Sequence, residues 1–115
     1  MIPVTRRQIW LARLPEETVG REQTGTRPVL IISNTDFNNS GAGLVIAVPL
    51  TRSDRKISSH VPVRRPEGGL KDDSFIMCEQ VRNISNKRLV EPWGSVSEEI
   101  MSRVEEIISV LLDLS

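Results

Sequence analysis

The chain has 115 residues, of which 38% are hydrophobic and 26% charged, which suits one soluble domain with a modest core and leaves no room for two. Its one cysteine, Cys78, excludes an internal disulfide. No apolar run approaches a membrane span or a signal-peptide core, so the expected compartment is the cytoplasm. The formal net charge of zero hides a split: Met1–Val90 carries 14 basic and 9 acidic residues, and Glu91–Ser115 carries 1 basic and 6 acidic. A basic body attracts phosphates, while the acidic end reads equally well as the solvated face of a helix.

In chain order, Gln8–Leu14 alternates as a first strand. Pro15–Thr26 is a polar loop with Gly20 and Gly25. Val29–Ser33 is an apolar, β-branched run expected to be a buried strand. Asn34–Gly43 is turn-rich, and Leu44–Leu50 is a further apolar strand. Thr51–Ser59 is a charged loop. His60–Val63 is a short strand that Pro62 assigns to a sheet edge. Arg64–Asp73, with Gly68-Gly69, is a turn region, and Ser74–Val81 is a strand. A C-terminal helix begins after Ser97 as N-cap, with Glu98 and Glu99 in its first turn. Ile100, Val104, Ile107, Ile108 and Leu111 recur along it at helical spacing. Many short strands followed by one amphipathic helix predict a small, strongly curved sheet with the helix packed on it. Trp10, Phe37 and Trp93 are expected in the core rather than as stacking platforms for bases.

The residue inventory narrows the chemistry. One histidine, His60, and one cysteine cannot build a zinc site, and the acidic residues show no metal-ligand spacing. The segment from Gly20 to Arg27 has glycines but no P-loop lysine, and it leads into a strand rather than a helix. A phosphate loop is therefore rejected. No Gly-x-Ser-x-Gly elbow supports a serine triad through His60. No cofactor and no metal are expected.

Four segments stand out: Arg7-Gln8-Ile9-Trp10; Gly20-Arg-Glu22-Gln23-Thr-Gly25-Thr-Arg27-Pro28 running into an apolar strand that ends in Ser33-Asn34; Val48-Pro49-Leu50-Thr51; and Cys78-Glu79-Gln80-Val81-Arg82. In order and spacing, together with Gly69-Leu-Lys-Asp-Asp-Ser74 and the C-terminal helix, these resemble the MazF/PemK toxin family over nearly the whole chain. The resemblance implies a mainly β, SH3-like, partly open barrel with a C-terminal helix (the MazF/CcdB/Kid fold), formed by residues 1–115 as a single domain. It further implies a homodimer that cuts single-stranded RNA sequence-specifically without a metal, held in check by a cognate MazE-like antitoxin. An antitoxin tail of acidic character would fit the basic body.

The resemblance takes the positions of Arg27 and Thr51 as catalytic and implicates that of Glu22. Chemistry agrees, because RNA carries its own nucleophile in the 2′-OH. The enzyme has to position that hydroxyl, accept its proton, neutralise the phosphorane and protonate the leaving 5′ oxygen. The arginine fork binds two phosphate oxygens at once, and a threonine hydroxyl can donate a hydrogen bond to phosphate. A neutral arginine base is costly, since its reference pKa lies about six units above neutral. Arg27 is therefore read as an electrostatic stabiliser and proton donor, and Glu22 as the proton acceptor or the group that orients Arg27. A plain surface salt bridge between the two is the bland alternative.

Candidate RNA-binding residues are Gln23, Thr26, Ser33, Asn34, Arg52, Arg55, Lys56, Glu79, Gln80 and Arg82, with Arg64 and Arg65 as further phosphate trackers. Glu79 and Gln80 read equally as polar strand-end residues satisfied by neighbours. Two departures from the family pattern are visible. Met77 stands where the PemK/Kid branch has an arginine, and Arg7-Gln8 replaces the usual glycine and acid before Ile-Trp. The competing function is a non-catalytic toxin of the same fold that poisons a protein such as DNA gyrase; a third is a catalytically dead RNA-binding module. The gyrase poisons carry a C-terminal Trp-Gly that Leu111–Ser115 lacks.

Overall fold

A computed structural model describes residues 2–15, 20 and 24–114. Among them run β1 (Gln8–Leu14), β2 (Gly25–Ile31), a one-turn helix α1 (Thr35–Asn38), β3 (Leu44–Thr51), β4 (His60–Val63), β5 (Ser74–Met77), β6 (Arg82–Ser85), β7 (Leu89–Ser95) and a C-terminal helix α2 (Glu98–Leu111). All strand pairs are antiparallel. The order across the sheet is β4-β5-β3-β2-β1-β7. β3 shares its outer edge: its first half pairs β6 and its last two residues pair β5. The sheet is open, with β4 and β7 as its two ends, and the edge position that Pro62 predicted for β4 is the one found.

Strict alternation along the central strands separates two cores. Ile9, Leu30, Val48 and Leu50 point to one face, where Val61, Val63, Ile76, Met101 and Val104 join them. Trp10, Ala12, Leu14, Val29, Ile31, Val45 and Ala47 point to the other, with Ile84 and Val4. Burying such side chains fully stabilises each by roughly 1.5–3 kcal/mol. The helix closes the first face. Ser97 Oγ accepts from the Ile100 N–H at 3.2 Å, Met101 and Val104 are buried, and Ile100, Ile107 and Ile108 pack on the core. The predicted stripe stops short of Leu111, which is 49% exposed.

β1, β3, β4 and the helix start lie where the residue patterns placed them, give or take one residue. β2 begins at Gly25 rather than Val29, because Gly25–Pro28 pairs with β1 despite its polar side chains. The predicted strand Ser74–Val81 stops at Met77 and continues as a 3-10 turn over Cys78–Gln80. β6 and β7 had no counterpart in the sequence reading. Arg7, in the family's glycine position, adopts φ of +80°, a region costly for a side chain. Its guanidinium is anchored there by two bonds to the Val96 carbonyl, at 3.0 and 2.8 Å. The expectation of a buried Phe37 is not met: it lies on α1 and is 38% exposed, whereas Trp10 is core at 5%.

Candidate active-site cleft

The β2–β3 ladder pairs Val29 with Pro49, and the same register continued two steps sets Arg27 opposite Thr51. The hydrogen-bonded pairing ends at Val29–Pro49. Pro28 has no N–H to offer its register partner Leu50, and the Leu50 carbonyl accepts from Arg27 Nη1 at 3.1 Å. Arg27 Nε donates to the Thr24 carbonyl, also at 3.1 Å. These two bonds fix the plane of the guanidinium at the strand ends. Beside it, Thr51 is buried and its Oγ1 accepts from the Ser53 N–H at 3.2 Å, which leaves the hydroxyl proton to point elsewhere.

Arg27 and Thr51 line one cleft of about 450 Å³. Thr26, Arg52, Ser53 and Arg55 share its walls, as do Lys71 and Asp72 from the β4–β5 connection and Trp93 from β7. Burial lowers the Arg27 pKa below its usual value, and the neighbouring Arg55 charge lowers it further. A guanidinium so placed gives up a proton more readily than one in water. Arg52 faces Asp72 at 3.7 Å, an exposed pair of little strength. The arrangement concentrates positive charge and several hydroxyls in one cleft, which suits a phosphodiester. Among the described residues no group of three or more His, Cys, Asp and Glu side chains could hold a metal ion.

Of the residues singled out from sequence, Thr26, Arg27, Thr51, Arg52 and Arg55 come together in the cleft. Glu22 and Gln23 lie outside the described residues. Ser33 and Asn34 do not line the cleft; they lie just after β2 and make structural hydrogen bonds there. Ser33 Oγ is buried, bonded to the Asn38 side chain, and accepts from the Ile46 N–H at 2.9 Å. Asn34 caps α1, its Oδ1 accepting from Asp36 and Phe37 N–H at 2.7 and 3.1 Å. Lys56 is exposed and bonds Asp54 at 3.0 Å. Arg82 lies on β6, opposite Ala47, and Gln80 in the 3-10 turn after β5; neither lines the cleft.

Glu79 also sits outside the cleft, between Ser59 Oγ at 2.6 Å and His60 Nε2 at 2.8 Å. Burial raises its carboxyl pKa, but these donated hydrogen bonds outweigh it, and the net position is below the usual carboxylate range. The other ring nitrogen of His60, Nδ1, is buried and finds no hydrogen-bond partner among the described residues. The contacts tie the end of the 51–59 loop to the turn after β5, matching the reading of Glu79 as a satisfied strand-end group. Cys78, fully buried, has its thiol pushed up to about 12 by burial and by the Glu79 charge, which makes it a packing residue rather than a nucleophile.

Leu11, Lys71, Asp72 and Ser74 also line the cleft, and so does Trp93, which packs against the first core as expected and reaches the cleft as well. It is half-buried. β1 advances one residue from Ile9 to Trp10 while β7 advances from Gly94 to Pro92, so Trp93 is the extra residue of a β-bulge. The usable signal was the Gly68-Gly69 turn leading into Lys71-Asp72.

A family model described as PemK-like, MazF-like toxin of type II toxin–antitoxin system matches residues 5–112. Endoribonuclease EndoA of Bacillus subtilis (strain 168) is 34% identical over 112 residues, spanning 96% of both chains. Among solved structures, MazF of Deinococcus radiodurans superposes with a TM-score of 0.87 at 19% identity, covering 99% of this chain and 100% of that one. The MazE–MazF structure from the same organism gives 0.80 at 22% identity, with full coverage of both chains. The open seven-stranded sheet, the C-terminal helix and the near-complete family match together place this chain in the PemK/MazF family of type II toxin–antitoxin toxins.

Proposed function

We propose that the chain is a metal-independent endoribonuclease, the single-domain toxin of a type II toxin–antitoxin pair, that cuts single-stranded RNA sequence-specifically and so arrests translation and growth. The observation that carries this is that the Arg27 guanidinium and the Thr51 hydroxyl line one cleft, which also holds Arg52 and Arg55. The 34% identity to an endoribonuclease supports the same reading. The substrate 2′-OH attacks phosphorus, its proton leaves to an acceptor, and the P–O5′ bond breaks as the 5′ oxygen takes up a proton. Arg27 and Thr51 hold the non-bridging oxygens as negative charge gathers on them, and Arg27, its pKa lowered, can supply the proton to O5′. Glu22 remains the candidate for accepting the 2′-OH proton or orienting Arg27. The products are a 2′,3′-cyclic phosphate and a 5′-OH.

The active species is a homodimer in the cytoplasm, held inactive by a MazE-like antitoxin whose acidic segment lies against the basic body. Solved neighbours of the same fold occur in complex with MazE. Incubation of the purified protein with a long RNA in EDTA, with cut sites and end groups mapped, tests the reading. Cleavage at a recurring sequence with cyclic-phosphate ends is expected. A 5′-phosphate on the fragments, or cleavage abolished by the chelator, would overturn the mechanism. Intact RNA together with blocked DNA supercoiling would instead identify a gyrase poison.

A further inference from the structure

Along the strand order β3-β2-β1-β7, the cleft changes character. Thr51, Arg52 and Arg55 lie on or just after β3, Arg27 on β2, Leu11 on β1 and Trp93 on β7. Three strand spacings, roughly 14 Å, separate the Thr51 strand from the Trp93 strand. Hydroxyls and guanidinium groups suited to a phosphate thus give way to an apolar and aromatic wall of Leu11, Leu70 and Trp93. The indole is held by more than ordinary packing. As the extra residue of a bulge it is re-aimed from the strand's alternation. The turn carrying Gly68 and Gly69, both at positive φ, presses directly on the backbone of Trp93: a Cβ on Gly69 would overlap the Trp93 carbonyl oxygen. A Cβ on Gly94 would lie 2.8 Å from the Gly68 carbonyl carbon. Trp93 Nε1 donates to Glu91 Oε1 at 3.1 Å. Over the ring stands the Lys71 ammonium, 4.9 Å from its centroid.

The geometry points to a nucleobase-stacking subsite formed by Trp93 and Lys71, which holds a base neighbouring the cut linkage and contributes to choice of the cleavage sequence. It deepens the ribonuclease reading and rests on it. The lysine occupies the ring as a placeholder. An exposed cation–π contact is weaker than a base stacked on an aromatic ring, so an arriving base displaces the ammonium, which then turns to a phosphate. Asp72, the next residue in the same wall, is placed to accept from an exocyclic amine of that base.

The chain has two tryptophans, and Trp10 is 5% exposed, so the indole fluorescence that RNA can quench belongs to Trp93. The test uses an RNA bearing the mapped cleavage sequence, with 2′-deoxy substitution at the cut. Saturating RNA should quench the wild-type emission, and Trp93→Phe should remove the quench while still binding. Trp93→Ala should raise KM about tenfold with a smaller change in kcat, and relax the preference at one position flanking the cut. Trp93→Phe should recover most of that KM. Phenylalanine retains the packing on the bulge, so the fluorescence measurement stands whether or not the alanine variant folds. An equal quench in Trp93→Phe, or unchanged KM and cut-site pattern in folded Trp93→Ala, would overturn the subsite while leaving the ribonuclease standing. Failure of the wild type to cut or bind RNA would bring down both.

Discussion

At the scale of single residues, the difference between a guanidinium that binds and one that catalyses lies in how firmly it is held. Arg27 has its plane set by the carbonyls of Thr24 and Leu50, so no side-chain reorganisation is needed as the phosphorane forms. Arg27→Ala should lower kcat by about 10²–10³ with the fold retained by circular dichroism, and Arg27→Lys should fall between, since it keeps charge but loses the fork. Thr51→Val, of equal size but without a hydroxyl, should slow cleavage about tenfold, and Thr51→Ser should restore it. Gel assays in EDTA decide both; a native rate from Arg27→Ala would remove it from the site. Glu79 makes a different kind of prediction. Its folded pKa is depressed by the Ser59 and His60 hydrogen bonds, so its contribution to stability is complete above the ordinary carboxylate range. It is lost as pH falls through that range and through the lower folded value. The gap in Tm between wild type and Glu79→Gln should be widest near neutral pH and close toward about pH 3, measured by thermal melts across that interval. A gap constant with pH would show that the carboxylate charge has no part in it.

At the scale of elements, backbone contact matters more than side-chain pattern at one place: the turn of Gly68 and Gly69 against the bulge of β7. Gly69→Ala combines positive φ with collision against the Trp93 carbonyl, and neither can be relieved without moving the turn or the strand. It should cost about 3 kcal/mol or more in urea denaturation, whereas Gly41→Ala, with open space around its Cβ, should stay within about 0.5 kcal/mol. A small loss at Gly69 would mean that the turn yields easily and cannot hold Trp93 in place. The same junction marks where the sequence stopped being legible. β1, β3 and β4 alternate cleanly between two faces, and α2 carries a capping serine and a 3.6-residue stripe, so both periods were readable. β7 has Pro92 and Gly94 in its interior and skips register twice along β1, which erases the period-2 signal. β6 is four residues with one buried side chain, Ile84, and owes its strand state to pairing with β3. Arg27 and Thr51 were legible because each stands in a distinctive motif, Gly25-Thr-Arg27-Pro28 and Val48-Pro49-Leu50-Thr51. Trp93 was not, because its place in the cleft depends on a bulge and on a turn more than twenty residues earlier in the chain.

At the scale of the whole molecule, zero net charge would suggest indifference to RNA if charge were spread evenly. It is not: the cleft gathers Arg27, Arg52, Arg55 and Lys71, with Asp72 the one acidic residue that lines it among the described residues, while Glu98, Glu99, Glu105 and Glu106 lie on α2. Binding should therefore behave as that of a small, strongly basic patch rather than of a neutral protein. For single-stranded nucleic acid, each phosphate neutralised contributes about 0.7 to the slope of log affinity against log salt. Four cleft cations, all engaged, give a slope near −3; Arg27 and Arg55 alone give about −1.4. Arg52 starts from a weak exposed pair with Asp72, and Lys71 from the face of Trp93, so releasing either costs little against a phosphate. The steeper slope is the expected one. Titrating the uncleavable RNA between 50 and 200 mM salt, a window over which such slopes are commonly resolved, measures it. Arg52→Ala should flatten the slope by about 0.7, whereas Arg103→Ala, exposed on the acidic helix, should leave it unchanged. Equal effects from the two substitutions would mean that RNA answers to net charge alone, and that the cleft has no privileged claim on the phosphates.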